Sequence, residues 1–319
     1  MNKKLLRAFI VAVAVAGALV LANRNVVAEP AGKVVRVGFQ KYGKLVLLKS
    51  KGTLESKLKA LGYAVTWTEF PSGPPLLEAI NVGAIDFGNA GEAPPIFAQA
   101  AGAPIRYVAY EPPASKGEAI LVPKDSTLTS VADLKGKKIA LNKGSNVHYL
   151  LVRALEKAGV KYSDVTPVFL APADARAAFE RGAVDAWAIW DPYQAAAETA
   201  LSARVLADGT DTVPNTQFYL ASQTFLEANP QALDALLDGL REVDAWAKSD
   251  IHAVAEQLSP SVGLPVPVLE LALTRQAYGI KPIDQQVLVE QQKLADTFHQ
   301  LGLIPKPVRV SDIARKSGS

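Results

Sequence analysis

The sequence predicts an α/β protein of two lobes, each a mostly parallel sheet flanked by helices, with a cleft between them. Three observations carry this expectation. Short β-rich runs alternate with helical patterns from Val34 onward, the pattern left by parallel strands joined through crossover helices. The rhythm stops at Pro112-Pro113 and restarts as a second block of the same design. The chain has 319 residues, 49% of them hydrophobic, enough for two cores at roughly 100 to 200 residues per domain.

The elements follow in order. Residues 34–39 (VVRVGF) read as a strand, and residues 44–61 place Leu45, Leu48, Leu54, Leu58 and Leu61 nearer a helical than a strand period. Residues 64–70 (AVTWTEF) alternate as a second strand. Pro74 and Pro75 open a helix to Ile80, because proline is tolerated where the first N–H groups lack partners. A short strand ends at Asp86-Phe87, residues 88–91 form a turn, Pro94 starts a helix to Ala101, and residues 105–110 close the block as a strand.

In the second block, residues 119–122, 138–141, 165–170 and 186–190 read as strands. Residues 131–134 make a helical turn, and residues 147–157 and 173–181 are helices. Residues 203–206 and 218–221 are further strands, and from Pro230 the chain is predominantly helical. A helical tail must pack somewhere, which suggests a crossing back to the first lobe. Residues 29–115 with 222–319 are therefore assigned to lobe 1, and residues 116–221 to lobe 2.

Residues 1–28 read as a signal peptide. Lys3, Lys4 and Arg7 precede an apolar run over residues 8–22, and Val26-Val27-Ala28 supplies small or apolar residues before Glu29, so cleavage is expected after Ala28. At about 1.5 Å per residue that run falls short of the ~30 Å hydrocarbon core, which argues against stable membrane insertion. The chain carries 34 basic and 31 acidic residues, but the leader holds four of the basic ones (Lys3, Lys4, Arg7, Arg24) and no acid, leaving 30 against 31. Nothing in that balance argues for nucleic acid or an anionic membrane as a partner. The absence of cysteine removes disulfides, thiolate nucleophiles, cysteine-based metal sites and a lipid anchor together.

Catalytic motifs are missing as well. The sequence contains no G-x-S-x-G elbow, P-loop, G-x-G-x-x-G or H-E-x-x-H, and His148, His252 and His299 lie far apart in different elements. No catalytic residue, metal site or cofactor is predicted. The informative positions are the strand-to-helix turns, since an open α/β sheet binds ligands beyond the carboxyl ends of its strands, where helix N-termini offer free N–H groups and positive dipole ends. Four such turns carry small or hydrogen-bonding residues: 40–43 (QKYG), 89–92 (NAGE), 143–146 (KGSN) and 190–193 (WDPY). Two come from each block, so a cleft between lobes would be lined from both sides.

Each candidate also has an ordinary structural role. Ser145 and Asn146 are good helix N-caps in any protein, although Gly144 before them permits close backbone approach to an anion. His148 lies in the first turn of that helix, within reach of the cleft. Gly91 is an ordinary turn glycine by itself, and Glu92 at a helix start favours the dipole. Trp190 could be a core aromatic, but it ends a strand directly before Asp191-Pro192, at the expected cleft mouth. Gln40 is the plainest candidate, because a neutral amide donates to an anion without bringing a counter-charge.

The stretches GFQKYGKLVLLK, EFPSGPPLLEAINVGAIDFGNAGEAPPIFAQAAG, ADLKGKKIALNKGSNVHYLLVRAL, PADARAAFERGAVDAWAIWDPY and DGTDTVPNTQFYLAS closely resemble periplasmic aliphatic sulfonate-binding proteins of ABC importers. The resemblance runs from about Val34 to the C-terminal region and is densest over residues 69–221. It implies a type II-like periplasmic binding protein fold whose two lobes close on the ligand. Matched position by position, it implies Gln40, Gly91, Glu92, Ser145, Asn146, His148, Trp190 and Asp191 as ligand-binding residues. Where family members often have a serine-rich turn, this chain has Gly144-Ser145-Asn146-Val147, which keeps one hydroxyl and loses a second.

The resulting expectation is a monomeric solute-binding protein of a Gram-negative periplasm. It captures a small organic sulfonate with neutral donors alone, since no arginine falls in the four turns, and delivers it to an importer permease. Taurine or nitrate on the same scaffold is the alternative, and an enzyme of the related pyrimidine-synthesis type a more distant one.

Overall fold

The computed structural model describes residues 33–315, so the predicted leader and its cleavage site lie outside the described residues. Two five-stranded sheets carry the fold. The first contains β1 (Lys33–Phe39), β2 (Tyr63–Glu69), β3 (Phe87–Gly91), β4 (Ile105–Tyr110) and β10 (Gln217–Ser222), in the order β2-β1-β3-β10-β4. The second contains β5 (Glu118–Val122), β6 (Lys138–Leu141), β7 (Thr166–Phe169), β8 (Ala186–Trp190) and β9 (Arg204–Asp208), in the order β7-β6-β8-β5-β9.

Both sheets are mixed in the same way. β1 runs parallel to β3, and β6 runs parallel to β7 and β8. β10 runs antiparallel to both its neighbours, and so does β5. These two reversed strands are the first to follow each crossing between lobes. A chain arriving from the other lobe enters its new sheet at the cleft, where the parallel strands end, and must therefore run against them.

The position of β10 corrects the sequence-based lobe boundary. Residues 218–221 were assigned to lobe 2, yet Phe218 pairs with Ala90 and Tyr110, so the chain has returned to the first lobe by Gln217. A second correction concerns residues 88–91, expected as a turn and found within β3. The glycine there answers to packing, because a Cβ on Gly88 would stand 2.6 Å from Leu76 Cδ2.

Helices cover the sheets: α1 (Lys44–Lys51), α2 (Thr53–Ala60), α3 (Gly73–Asn81) and α4 (Pro94–Ala100) in the first lobe, α5 (Asn146–Lys157), α6 (Pro172–Glu180) and α7 (Tyr193–Leu201) in the second. Gly52, at φ +64, divides the predicted first helix into α1 and α2. The tail forms α8 (Gln223–Ala228), α9 (Pro230–Ser249), α10 (Ile251–Val262), α11 (Val266–Thr274) and α12 (Gln285–Gln300). In α9, Leu233, Leu236, Leu237, Leu240, Val243 and Ala247 make one buried stripe, as a helix packed on one face requires. That face meets α1 closely enough that a Cβ on Gly239 would lie 3.1 Å from Leu48 Cδ1.

The tail does not cover lobe 1 alone, as the assignment of residues 222–319 supposed. Val268 and Ala272 of α11 pack with Ala195 and Ala196 of α7 in the second lobe. Phe298 of α12 lies 5.2 Å from Phe97 of α4 and 5.7 Å from both His148 and Tyr149 of α5, between ring centroids. The two crossings, residues 111–117 and 209–216, run side by side. Ala114 N donates to Pro214 O at 2.9 Å and Gly209 N to Ser115 O at 2.9 Å. A Cβ on Gly209 would stand 2.6 Å from that same Ser115 oxygen, so the close pairing requires glycine. Among the described residues, no helix is long and apolar enough to cross a membrane.

Candidate ligand-binding site

The carboxyl ends of the parallel strands face one another across a cleft of about 780 Å³, its open mouth included. Gln40, Gly91, Ser145, Asn146, Trp190 and Asp191, six of the residues expected from sequence, line it. Their chemistry differs from one turn to the next.

The α5 start is open toward the cleft. Gly144 turns the chain at φ +72, and a Cβ there would meet Phe97 of the other lobe at 3.3 Å. Ser145 Oγ donates to Asn142 O at 2.7 Å instead of capping the helix. The N–H groups of Asn146 and Val147 begin the helix, where no intrahelical acceptor exists. Together with the dipole they favour an anion. The Asn146 side chain is not a free donor, since its Nδ2 bonds Glu118 Oε2 and, at 2.9 Å, Asn215 Oδ1. What Asn146 presents to a ligand is therefore its main chain.

Two of the other helix starts are closed to a ligand. α4 begins with Pro94 and Pro95, which have no N–H to give. At α7, Asp191 Oδ1 itself accepts the Ala195 N–H at 3.0 Å. α1 follows Gly43, at φ +106, with Tyr42 and Gly43 on the cleft wall. Gln40 spends one amide hydrogen on Asn89 O at 3.2 Å, and Trp190 supplies an aromatic wall.

Sequence reasoning missed the cation that, among the described residues, lines the wall. Arg275, just past α11, lines the cleft with its side chain 17% exposed, its Nη2 2.7 Å from Glu198 Oε2 and its Nη1 3.5 Å from Asp191 Oδ1. Nη1 is buried and makes no hydrogen bond, and the same holds for the Tyr42 hydroxyl beside it. The seat is thus not made of neutral donors alone. No sequence signal pointed to Arg275, because it follows a tail helix and not a strand. Two residues on, Ala277 is tied to Lys44, which is buried and bonds Glu111 Oε2 at 2.6 Å and Ala277 O at 2.7 Å, with Asp244 at 3.7 Å.

Electrostatics follow from this enclosure. Burial pushes Asp191 up to about 6, against the opposing pull of Arg275. Burial and the charge of Asp191 push the Tyr42 phenol well above its ordinary value, keeping it a neutral donor.

Glu92 and His148 do not reach the cleft. Glu92 is buried behind it, where Oε2 accepts the Thr216 N–H at 2.9 Å and the carbonyl accepts Gln291 Nε2. Burial pushes its carboxyl up to about 8. His148 braces the Gly144 turn from behind: Nδ1 accepts the Gly144 N–H at 3.3 Å, which leaves Nε2 protonated toward Tyr162 Oη at 2.8 Å. Burial, with Lys143 nearby, lowers His148 to about 4, so its ring stays neutral. Six of the eight residues implied by the resemblance line the cleft, and Glu92 and His148 lie behind it.

A family model described as NMT1/THI5 like matches residues 64–250. An Escherichia coli K12 protein named as an aliphatic sulfonates-binding protein is 46% identical over 303 residues, 94% of this chain and 94% of its own length. The solved alkanesulfonate-binding protein SsuA from Xanthomonas axonopodis pv. citri, bound to MOPS, has a TM-score of 0.84 at 42% identity, covering 91% of this chain and 100% of that one. The crystal structure of the periplasmic aliphatic sulphonate binding protein SsuA from Escherichia coli has a TM-score of 0.80 at 44% identity, covering 89% and 92%. With this cleft between two lobes and these relatives, the chain belongs to the NMT1/THI5-like family and groups there with solute-binding proteins, not enzymes.

Proposed function

We propose that the protein is the periplasmic solute-binding component of an ABC importer and captures aliphatic sulfonates for its membrane permease. The observation that carries this is the combined seat at the α5 start: two helix-opening N–H groups and, on the wall of the same cleft, Arg275 with its Nη1 free of any hydrogen bond. Such a seat suits a permanent monoanion with several acceptor oxygens. Trp190 offers a wall for the organic tail. The names of the relatives support the same ligand class, and the leader pattern supports export with cleavage after Ala28. The protein works as a monomer, since the lobes must move independently of a partner copy.

A ligand panel tests this reading. Thermal shifts and titration calorimetry with alkanesulfonates, taurine and nitrate are run at fixed salt in cationic amine buffers, because MOPS is itself a sulfonate. A true ligand at a hundred times its Kd adds about 2.7 kcal/mol of stability. Ser145→Ala and Gln40→Ala are each expected to weaken alkanesulfonate binding. Taurine or nitrate giving a shift where alkanesulfonates give none would overturn the ligand class, and unchanged affinity in both variants would overturn the seat.

A further inference from the structure

Behind the cleft, two buried carboxyl groups are each linked to the second crossing, Glu92 through Thr216 and Glu118 through Asn146 and Asn215. Glu92 comes from the turn after β3, and Glu118 opens β5 directly after the first crossing. The second crossing caps this site, with Thr216 N donating to Glu92 Oε2 at 2.9 Å and Asn215 Nδ2 donating to Ala114 O at 3.0 Å. Asn146 joins it to the anion seat, giving its amide hydrogens to Glu118 Oε2 and Asn215 Oδ1. Its side chain lies against Gly91 of the first lobe, where a Cβ would come within 3.0 Å of it. Glu92 Oε1 and Glu118 Oε1 are both buried without a hydrogen-bond partner.

We propose that Glu118 is a positioning residue of the binding site: as a protonated acid, it fixes Asn146 and the α5 start against Gly91, so lobe closure on an anion takes up a proton. The inference rests on the binding-protein reading but not on which anion is bound. In the protonated acid, Oε2 serves as the carbonyl that accepts from Asn146, and the partnerless Oε1 carries the hydrogen. A bare carboxylate oxygen there would be a buried, unpaired charge. The opening of the lobes would return the acid to water, where it ionises.

The neighbours are consistent with this state. α5 contributes Tyr149 beside Glu92, α12 contributes Glu290 and Gln291, and Gln291 reaches on to Tyr107 of β4. Among the described residues no cation lines the small cavity beside Glu92, and Arg153 acts on Tyr149 there. Burial raises both acids, Glu92 to about 8, and the charge of Glu92 further raises Glu118. The sign is then fixed: the closed form holds the extra proton, so affinity is greatest below the raised pKa and falls as pH rises through it.

Proton uptake is measured directly by calorimetry of an alkanesulfonate at pH 8 in several amine buffers of different ionisation heat. The ligand does not titrate in this range. Asp191, His148 and Tyr149, at about 6, 4 and 12, keep their charge near pH 8. The wild type should take up a fraction of one proton per ligand, with affinity falling from pH 7 to 9. Glu118→Gln, which keeps a carbonyl for Asn146, should take up clearly less than the wild type, the remainder belonging to Glu92 at about 8. Glu118→Ala should bind at least about tenfold more weakly than Glu118→Gln, as expected for a buried donor left unpaired.

Zero uptake by the wild type, unchanged uptake in Glu118→Gln, or equal affinities of the two variants would overturn the proposal. If Glu118→Ala does not fold, a reduced uptake in each of Glu118→Gln and Glu92→Gln decides the matter. Should alkanesulfonates fail to bind while nitrate binds, the ligand class falls, and the same titration with nitrate, which also does not titrate, still tests the carboxyl pair.

Discussion

Gly91→Ala isolates lobe closure from folding. Gly91 ends β3 and is not among the positive-φ glycines, so alanine introduces no backbone strain in its own lobe. The new Cβ would meet Asn146 Cβ, Cγ and Oδ1, all at 3.0 Å, and all belong to the other lobe. Asn146 cannot swing aside without breaking its bonds to Glu118 and Asn215. Relief must come from the lobes parting by a few tenths of an ångström, which also moves the α5 N–H groups away from Arg275. Overpacking of this kind costs about 1–3 kcal/mol. Charged to the closed complex, that weakens binding by about 5- to 150-fold. Calorimetric titration with the best ligand of the panel reads the loss, while the unliganded melting temperature should change little. Asn146→Ala removes two of the three contacting atoms, so the Gly91→Ala penalty should shrink in that background. An affinity within twofold of wild type, or an equal penalty in both backgrounds, refutes the reasoning.

Two further outcomes follow from buried charges. Lys44→Met leaves Glu111 and Asp244 enclosed without their cation and should destabilise by about 3–5 kcal/mol, with part recovered on adding Glu111→Gln; a loss under about 1 kcal/mol in urea unfolding would show the cluster to be dispensable. Asp191 is raised in the folded protein to about 6, so its neutral form is favoured by folding. Stability from this group is therefore full below the unfolded carboxylate pKa and lost as pH rises through about 6, on the order of 2–3 kcal/mol. Asn at this position removes the titration while keeping an oxygen for the Ala195 N–H, so Asp191→Asn should flatten unliganded stability between pH 4 and 7. A slope unchanged by the substitution would assign that pH dependence to other groups.

What could be read from sequence follows the range of the forces involved. β4, β6 and β8 were legible because their apolar runs are local and bounded by turn residues, and the α5 start because Gly144, Ser145 and Asn146 announce a turn into a helix by their own chemistry. β3 was cut short because Gly88 and Gly91 are glycines for tertiary reasons, one to admit Leu76 and the other to admit Asn146. Arg275 lies beyond any local rule, since its ion-pair partners Asp191 and Glu198 are distant in sequence. His148 and Glu92 show the remaining gap: a motif locates a turn, but only packing decides which of its side chains faces forward. The same distinction explains why four similar turns make an asymmetric seat. Pro94 and Pro95 remove the donors of one helix start, and Asp191 occupies those of another. The remaining attraction for an anion is concentrated at α5 and α1, with Arg275 opposite. Arg275 stands between Asp191 and Glu198, so what it offers the cleft is less a net charge than the Nη1 donor that makes no hydrogen bond.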